Sequence, residues 1–383
     1  TMPTTVLVPI SKENSKSCSV IKLTLAPLIL LNFTFFLQFF SIVVFYTCIN
    51  NSFKFAFPYD LIFLSEGLKP SDKLWSGKGI TMYDILKNCR ICPRKCGSDR
   101  YEGKGLCGAG SEVLVAKACL HQWEEPCISG SRGSGTVFFS GCNMKCVFCQ
   151  NHDISQASSG ALIGKKISTE RLAEIMLELQ EQGAHNINLV SPTPYALHII
   201  DAVRKAKEKG LHVPVIYNTN GYELEETIKA LKGTVDVYLP DIKYYDDLYS
   251  VKYSSTGNYF EYASKAVTAM HNQAGYPEFD KDGMIKKGMI IRHLVLPGLG
   301  LDSKRIFQWV RENIGKYAHM SIMCQYTPMH KASQYKDINR RISLSEYDEV
   351  LGYFFEAGLE NGFMQGLESA HSSYTPEFDF SGI

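Results

Sequence analysis

The chain has 383 residues, 45% of them hydrophobic and 21% charged, which excludes a disordered polypeptide. Forty Lys and Arg against 39 Asp and Glu leave a net charge of +1, which excludes a broadly basic surface, so no nucleic-acid partner is expected. Of the 12 cysteines, most fall in two short clusters, a distribution that suits metal ligation in a reducing compartment better than a disulfide framework.

The first segment differs from the rest. Leu23 to Ile49 carries no charged side chain and is long enough to cross a bilayer, which takes roughly 20 residues. Lys12, Lys16 and Lys22 precede it and Lys54 follows. Three readings compete: a membrane anchor, a secretory signal, and an extension foreign to the folded part. The run exceeds the ~7–15 apolar residues of a signal core, and no small-x-small cleavage site follows. Read literally, the lysine bias puts the cysteines outside, where exposed thiolates are out of place. The extension is therefore favoured, with Met82 seven residues ahead of Cys89, and a cytoplasmic protein is expected; anchoring through 23–49 is the alternative. Residues 50–81, with Pro58 and Pro70, read as a linker. The expected organisation is 1–81 apolar extension and linker, 82–130 cysteine-rich metal-binding segment, and 131–383 barrel.

Cys89, Cys92, Cys96 and Cys107 have the spacing C-x2-C-x3-C-x10-C, the last in a Gly-rich loop. Four thiolates so close in sequence suit a closed four-coordinate site, zinc or an auxiliary iron–sulfur cluster. The plainer reading is four unligated core residues. Arg90, Arg94, Lys95, Arg100 and Lys104 lie among them and would stabilise thiolates. Cys127 is a substitute ligand to consider.

From residue 136 an alternation sets in. Apolar runs at 136–140, 186–191, 214–218, 235–240, 288–296 and 320–326 read as strands. Helical periodicity follows each, over 168–182, 195–209, 224–231, 259–274, 303–313 and 343–360. Strict alternation implies parallel strands with right-handed crossovers. Six β-α units are too few for a closed eight-fold barrel, so the expected fold class is α/β, a partial (β/α)6 TIM-like barrel with an N-terminal cysteine-rich segment. Its chemistry belongs at the carboxyl ends of the strands.

Directly after the first strand comes Cys142-x3-Cys146-x2-Cys149. Three thiolates on one loop can hold three corners of a cubane and leave one iron open to a substrate or cofactor. The plainer reading is three buried or zinc-binding cysteines. Neighbouring candidates sit at other strand ends. Val190-Ser191-Pro192-Thr193-Pro194 follows the second strand and offers the hydroxyls of Ser191 or Thr193. Asn220-Gly221 follows the third, where the amide either meets a ligand or only shapes a turn. Asp241 and Lys243 end the fourth as an ion pair of opposite charges. Arg292 and His293 are adjacent in the fifth, so one faces the lumen; Arg292 is the better anion binder and His293 suits the core.

The C-x3-C-x2-C loop in this setting resembles the radical S-adenosylmethionine superfamily. Within it, GCNMKCVFCQNHDISQ, NLVSPTP, YNTNGYE, LPDIKYYDD, RHLVLPG and QYTP are similar to the pyruvate formate-lyase-activating-enzyme-like branch, from about Tyr83 to the C-terminus. The resemblance implies a [4Fe-4S] cluster on Cys142, Cys146 and Cys149 whose open iron takes the amino and carboxylate groups of S-adenosylmethionine. It implies reductive cleavage of that cofactor to a 5′-deoxyadenosyl radical, which abstracts hydrogen from a substrate. Many members carry a Gly-Gly-Glu turn after the second strand; this chain has Ser191 and its neighbours there instead. Asp241 and Lys243 match a D-x-K pair that faces the cofactor in activating enzymes. The partners implied are an electron donor, flavodoxin or ferredoxin, and a glycyl-radical protein substrate. A small-molecule substrate and a non-catalytic two-cluster electron carrier are the rival readings; a zinc-ribbon nucleic-acid binder is disfavoured by the neutral charge.

Overall fold

The computed structural model describes residues 81–156, 162–366 and 376–383, so the expectations for the 23–49 run and the linker lie outside the described residues. Thr81 caps the first helix, α1 (Met82–Lys87), in a reciprocal box with Asp84. Residues 88–112 form turns and irregular backbone around the four cysteines. Then come β1 (Val113–His121), α2 (Pro126–Ser129), β2 (Ser134–Phe139), α3 (His152–Ser155) and β3 (Lys165–Ile167).

From β2 the expected rhythm is present: α4 (Thr169–Glu181), β4 (Ile187–Val190), α5 (Ala196–Glu208), β5 (Val215–Thr219), α6 (Glu225–Ala230) and β6 (Val237–Pro240). It continues with α7 (Asp247–Ser254), α8 (Tyr259–Ala274), β7 (Glu278–Phe279), β8 (Ile285–Leu294), α9 (Gly300–Asn313), β9 (His319–Met323), α10 (Leu344–Glu356) and β10 (Asn361–Met364). The sheet order is β10-β9-β8-β6-β5-β4-β2-β1-β3, with β7 paired to β8 alone. Along that order every pairing from β2 to β10 is parallel, β1 is antiparallel to both β2 and β3, and β7 is antiparallel to β8. The result is an open, mostly parallel α/β sheet of the partial-barrel kind. Among the described residues no helix is long and apolar enough to cross a membrane.

All six expected strands and their helices are found, and the sheet extends further at both edges. The helix expected over 343–360 ends at Glu356. Gly358 (φ 75°) turns the chain into β10, a seventh parallel strand beside β9. At Gly362 (φ 142°) a Cβ would lie 1.8 Å from the Met320 carbonyl oxygen, so only glycine permits this pairing. At the other edge β1 lines up against β2, and its far end delivers His121 to Glu125 beneath the lumen.

Burial explains the pattern. All residues of β2 and β6 are buried, as expected for strands covered on both faces. Ser168 caps α4 by accepting the Arg171 amide, and Leu172, Ile175, Met176 and Leu179 form its buried stripe. A second apolar cluster packs Met144, Val147 and Phe148 of the cysteine loop against Tyr222, Tyr244, Tyr253, Tyr259 and Tyr326. Aromatic rings thus clamp the loop at the carboxyl end of β2, where the site forms.

Candidate functional site

The loop 141–149 is held before any ligand is considered. Ser140 follows β2, its carbonyl accepting from the buried Tyr195 hydroxyl at 2.8 Å and its own hydroxyl donating to the Ile163 carbonyl. Gly141 (φ 93°) then turns the chain so closely over residue 107 that a Cβ would sit 2.8 Å from the Cys107 carbonyl oxygen. The Cys142 amide donates to that same carbonyl at 3.2 Å.

Cys142, Cys146 and Cys149 all line one cavity of about 220 Å³ at the carboxyl ends of the strands. Each sulfur already accepts a bond. Cys142 Sγ takes the Met144 amide at 3.4 Å and Asn220 Nδ2 at 3.3 Å; Cys146 Sγ takes the Ser254 hydroxyl at 3.0 Å. Cys149 Sγ lies 3.2 Å from Ser155 Oγ and takes the Asn151 amide. Burial pushes all three thiols up, Cys149 to about 12, so they stay protonated until a bound cation offsets their charge. Among the described residues no three Cys, His, Asp or Glu side chains converge as ligands of one ion. A cubane asks something different: one sulfur per iron, spread over separate corners. Three donor-aligned thiols around one cavity, Cys146 buried and Cys142 and Cys149 half-buried, fit that group.

Ser191, Asn220, Asp241, Lys243 and Arg292 line the same cavity. Ser191 sits at a left-handed φ of 58°, a strained position for a non-glycine, pinned by its amide bonding the Asn218 carbonyl at 3.0 Å. Thr193, the alternative hydroxyl, is buried and donates to Glu223 at 2.6 Å instead of lining the cavity. Asn220 spends its amide on Cys142 Sγ and on Asn143 Oδ1 at 2.8 Å, so it braces the cysteine loop while facing the cavity. Lys243 Nζ and Asp241 Oδ2 are 2.5 Å apart. Burial alone lowers the Lys243 pKa, but the Asp241 carboxylate beside it works the other way and the net shift is upward, so the ammonium persists. Gly221 (φ 79°) lets these two strand ends meet, since a Cβ there would lie 2.2 Å from the Asp241 carbonyl oxygen.

Arg292 is not a free anion binder. Its guanidinium meets Glu124 at 3.1 Å and Glu125 at 3.3 Å, and Glu124 also accepts from Asn188 at 2.9 Å. Burial lowers its pKa, yet Glu125 and Glu124 dominate and raise it. His293 turns away, between the Ile242 carbonyl and the Ser303 hydroxyl on α9. Glu124, Glu125 and His121 were not singled out from the sequence. They reach the lumen because β1 runs antiparallel under the barrel, and no local pattern announces that.

Cys89, Cys92, Cys96 and Cys107 gather around a separate, smaller cavity of about 10 Å³ beside the first. Burial pushes Cys92 up to about 12 and raises Cys107. Burial also pushes Cys96 up, but the Ser98 hydroxyl and the Leu106 and Ser98 amides outweigh it and the net shift is downward. Cys127 packs among Ile216, Val237 and Leu239 at the opposite end of the barrel, and Cys324 bonds the Gln365 and Gly366 carbonyls.

Comparison with known proteins places this arrangement. The Radical SAM superfamily model matches residues 136–310, which spans β2 through most of α9. The protein MJ0674 of Methanocaldococcus jannaschii is 32% identical over 274 residues, covering 70% of this chain and 74% of that protein. A pyruvate formate-lyase-activating enzyme of Clostridium pasteurianum is 28% identical over 194 residues, 48% of this chain and 67% of that enzyme. Among solved structures, SuiB of Streptococcus suis bound to S-adenosylmethionine matches with a TM-score of 0.42 at 14% identity, covering 60% of this chain and 50% of its own, so the chain spans about half its length. With a cysteine loop after β2, the superfamily match over 136–310 and the similarity to MJ0674, the chain belongs to the radical SAM superfamily, whose members pair a [4Fe-4S] cluster with S-adenosylmethionine.

Proposed function

We propose that the chain is a radical S-adenosylmethionine enzyme that splits its cofactor reductively and takes a hydrogen atom from a substrate. The carrying observation is that three thiols and the Asp241–Lys243 ion pair line one cavity at the carboxyl ends of the strands. Cys142, Cys146 and Cys149 would hold the cluster, one thiolate per iron, and leave the fourth iron for the cofactor's amino-acid end. When bound, cluster and cofactor together supply one-electron homolysis of a sulfonium–carbon bond and a 5′-deoxyadenosyl radical.

The chain's own residues position and shield. Asp241 and Lys243 present opposite charges to a zwitterionic amino acid, the carboxylate towards its ammonium and the ammonium towards its carboxylate. Ser191 offers a hydroxyl from its strained turn, and Asn220 holds Cys142 where the loop needs it. Arg292 is neutralised by Glu124 and Glu125, so it orders the floor of the lumen and contributes one buried polar wall. The aromatic clamp on Val147 and Phe148 keeps water from that side of the loop.

For substrate we infer a protein that receives a glycyl radical, with flavodoxin or ferredoxin as electron donor. The support is the relation to an enzyme whose name is pyruvate formate-lyase-activating. A small molecule is the second reading, favoured by a cavity of about 220 Å³ in which polar Ser191, Asn218 and Gln325 stand beside the Asp241–Lys243 pair. Anaerobic loading with iron and sulfide, reduction with dithionite and assay for 5′-deoxyadenosine tests the activity. Product is expected from the wild type. A loaded, reducible chain that yields none contradicts the reading. Incubation with a glycyl-radical protein, read as a radical signal on that protein, separates the two substrate classes.

A further inference from the structure

Cys89, Cys92, Cys96 and Cys107 lie outside the cavity just described, and three features of their surroundings call for a ligand. The first is preparation of the sulfurs. Cys92 accepts the amide of Arg94, Cys96 that of Ser98 and Cys107 that of Ala109, each two residues on. Gly105 backs onto the group so tightly that a Cβ would sit 3.1 Å from Cys107 Sγ and 3.7 Å from Cys96 Sγ.

The second is an unbalanced buried charge. Arg100 is only 1% exposed. It donates to the carbonyls of Gly110 at 2.7 Å and Pro194 at 2.6 Å, and its Nη2 has no partner. No described carboxylate pairs with it. A guanidinium taken out of water without an anion is costly. Four thiolates around a metal core carry net negative charge, which supplies the missing anion.

The third is the space between the sulfurs. In a zinc site four sulfurs close to about 2.3 Å from one ion, which leaves no room between them. Among the described residues no three of these sulfurs converge on one such point, so they do not close on a single zinc. Sulfurs spaced in this way suit a cubane, which takes one at each corner.

We propose that these four thiolates hold a second, closed iron–sulfur cluster that passes an electron to the one at Cys142, Cys146 and Cys149. The two sets are joined directly: the Cys142 amide bonds the Cys107 carbonyl at 3.2 Å, and the Arg94 side chain donates from Nε to the Asn143 carbonyl at 2.7 Å. A low-potential one-electron donor such as reduced ferredoxin gives one electron to the second cluster and leaves oxidised. That cluster returns to its oxidised state as the first takes the same electron, and no bond forms or breaks. The relay rests on the reading of Cys142, Cys146 and Cys149 as cluster ligands; the existence of the second cluster does not.

The test uses the full chain, purified and loaded without oxygen, with iron and zinc counted in wild type, in Cys142/Cys146/Cys149→Ala and in Cys92/Cys96→Ser. The expectation is about eight irons in wild type and about four in each variant. Four irons with one zinc in wild type overturns the second cluster while leaving the function proposed above intact. A triple variant that keeps all the iron of wild type overturns that function instead. Fully reduced wild type is then examined by electron paramagnetic resonance, which needs no variant to fold. Neighbouring clusters broaden each other's lines; two sharp, independent signals overturn the relay.

Discussion

The loop 141–149 and the segment 89–107 both bury cysteines, and their backbones touch, yet they enclose different spaces. The first sets three thiols in the wall of a cavity of about 220 Å³ shared with Ser191, Asp241, Lys243 and Arg292. The second sets four thiols around about 10 Å³ with apolar Ile91, Leu106 and Pro194. In the proposed reading one arrangement leaves a coordination position with a charged chamber in front of it, and the other closes on itself. Openness to a reactant is therefore decided by the missing fourth cysteine and by which strand ends face the sulfurs, because burial and amide bonding are common to both.

Breaking the open side should give the largest effect. Cys146→Ala removes one corner of the three-thiol set, and 5′-deoxyadenosine formation should fall to background in the reduced, reconstituted protein. Turnover near wild type would place the reactive cluster elsewhere.

Glu223 sits in the partition between the two sets. It is fully buried, and its Oε1 accepts from Thr193, Thr219 and Tyr217. Burial outweighs those bonds and pushes its pKa up to about 7 from an ordinary value of 4.5. The folded state therefore binds this proton more tightly than the unfolded chain does. Stability is fully present below pH 4.5 and falls as pH rises towards 7, by roughly 2–4 kcal/mol from this group alone. In thermal unfolding of the loaded protein from pH 5 to 8, Glu223→Gln should lose that part of the decline and overtake wild type at the upper end. Parallel curves for the two proteins would refute the shift.

On the open side again, Lys243→Met leaves Asp241 without its ion-pair partner and takes one charge from the cofactor's expected seat. S-adenosylmethionine binding, measured by calorimetry, should weaken by about 10–100-fold while the iron content holds. Unchanged affinity would move the amino-acid end away from this pair. The smallest effect belongs to Tyr195→Phe. Its hydroxyl bonds the Ser140 carbonyl at 2.8 Å, and its ring lies 5.7 Å from the Arg100 guanidinium. Losing that one bond should cost about 1 kcal/mol in denaturant unfolding. A cost several times larger would mean that the partition acts as one network.

Much of the barrel is legible in the sequence because its strands are short apolar runs bounded by Gly, Pro and Asn, and each helix carries a 3.6-residue stripe. β10 escapes that reading, since Asn361-Gly362-Phe363-Met364 has neither length nor pattern, and it pairs only because Gly362 admits the Met320 carbonyl. The three- and four-cysteine spacings are plain in the chain. What they face is not: Ser191 and Thr193 look alike in sequence, and only the turn at Ser191 sends one to the cavity and the other to Glu223. Arg292 is visible as a lumen-facing cation, whereas its neutralisation by Glu124 and Glu125 depends on a strand more than 160 residues earlier passing beneath it.

The most direct test of the open iron is pulsed electron–nuclear double resonance on the reduced protein with S-adenosylmethionine carrying ¹⁵N in its amino group. A hyperfine coupling from that nitrogen to the cluster is the predicted result, lost in the Cys142/Cys146/Cys149→Ala variant. A reduced cluster that shows no such coupling while the cofactor is bound would contradict the account.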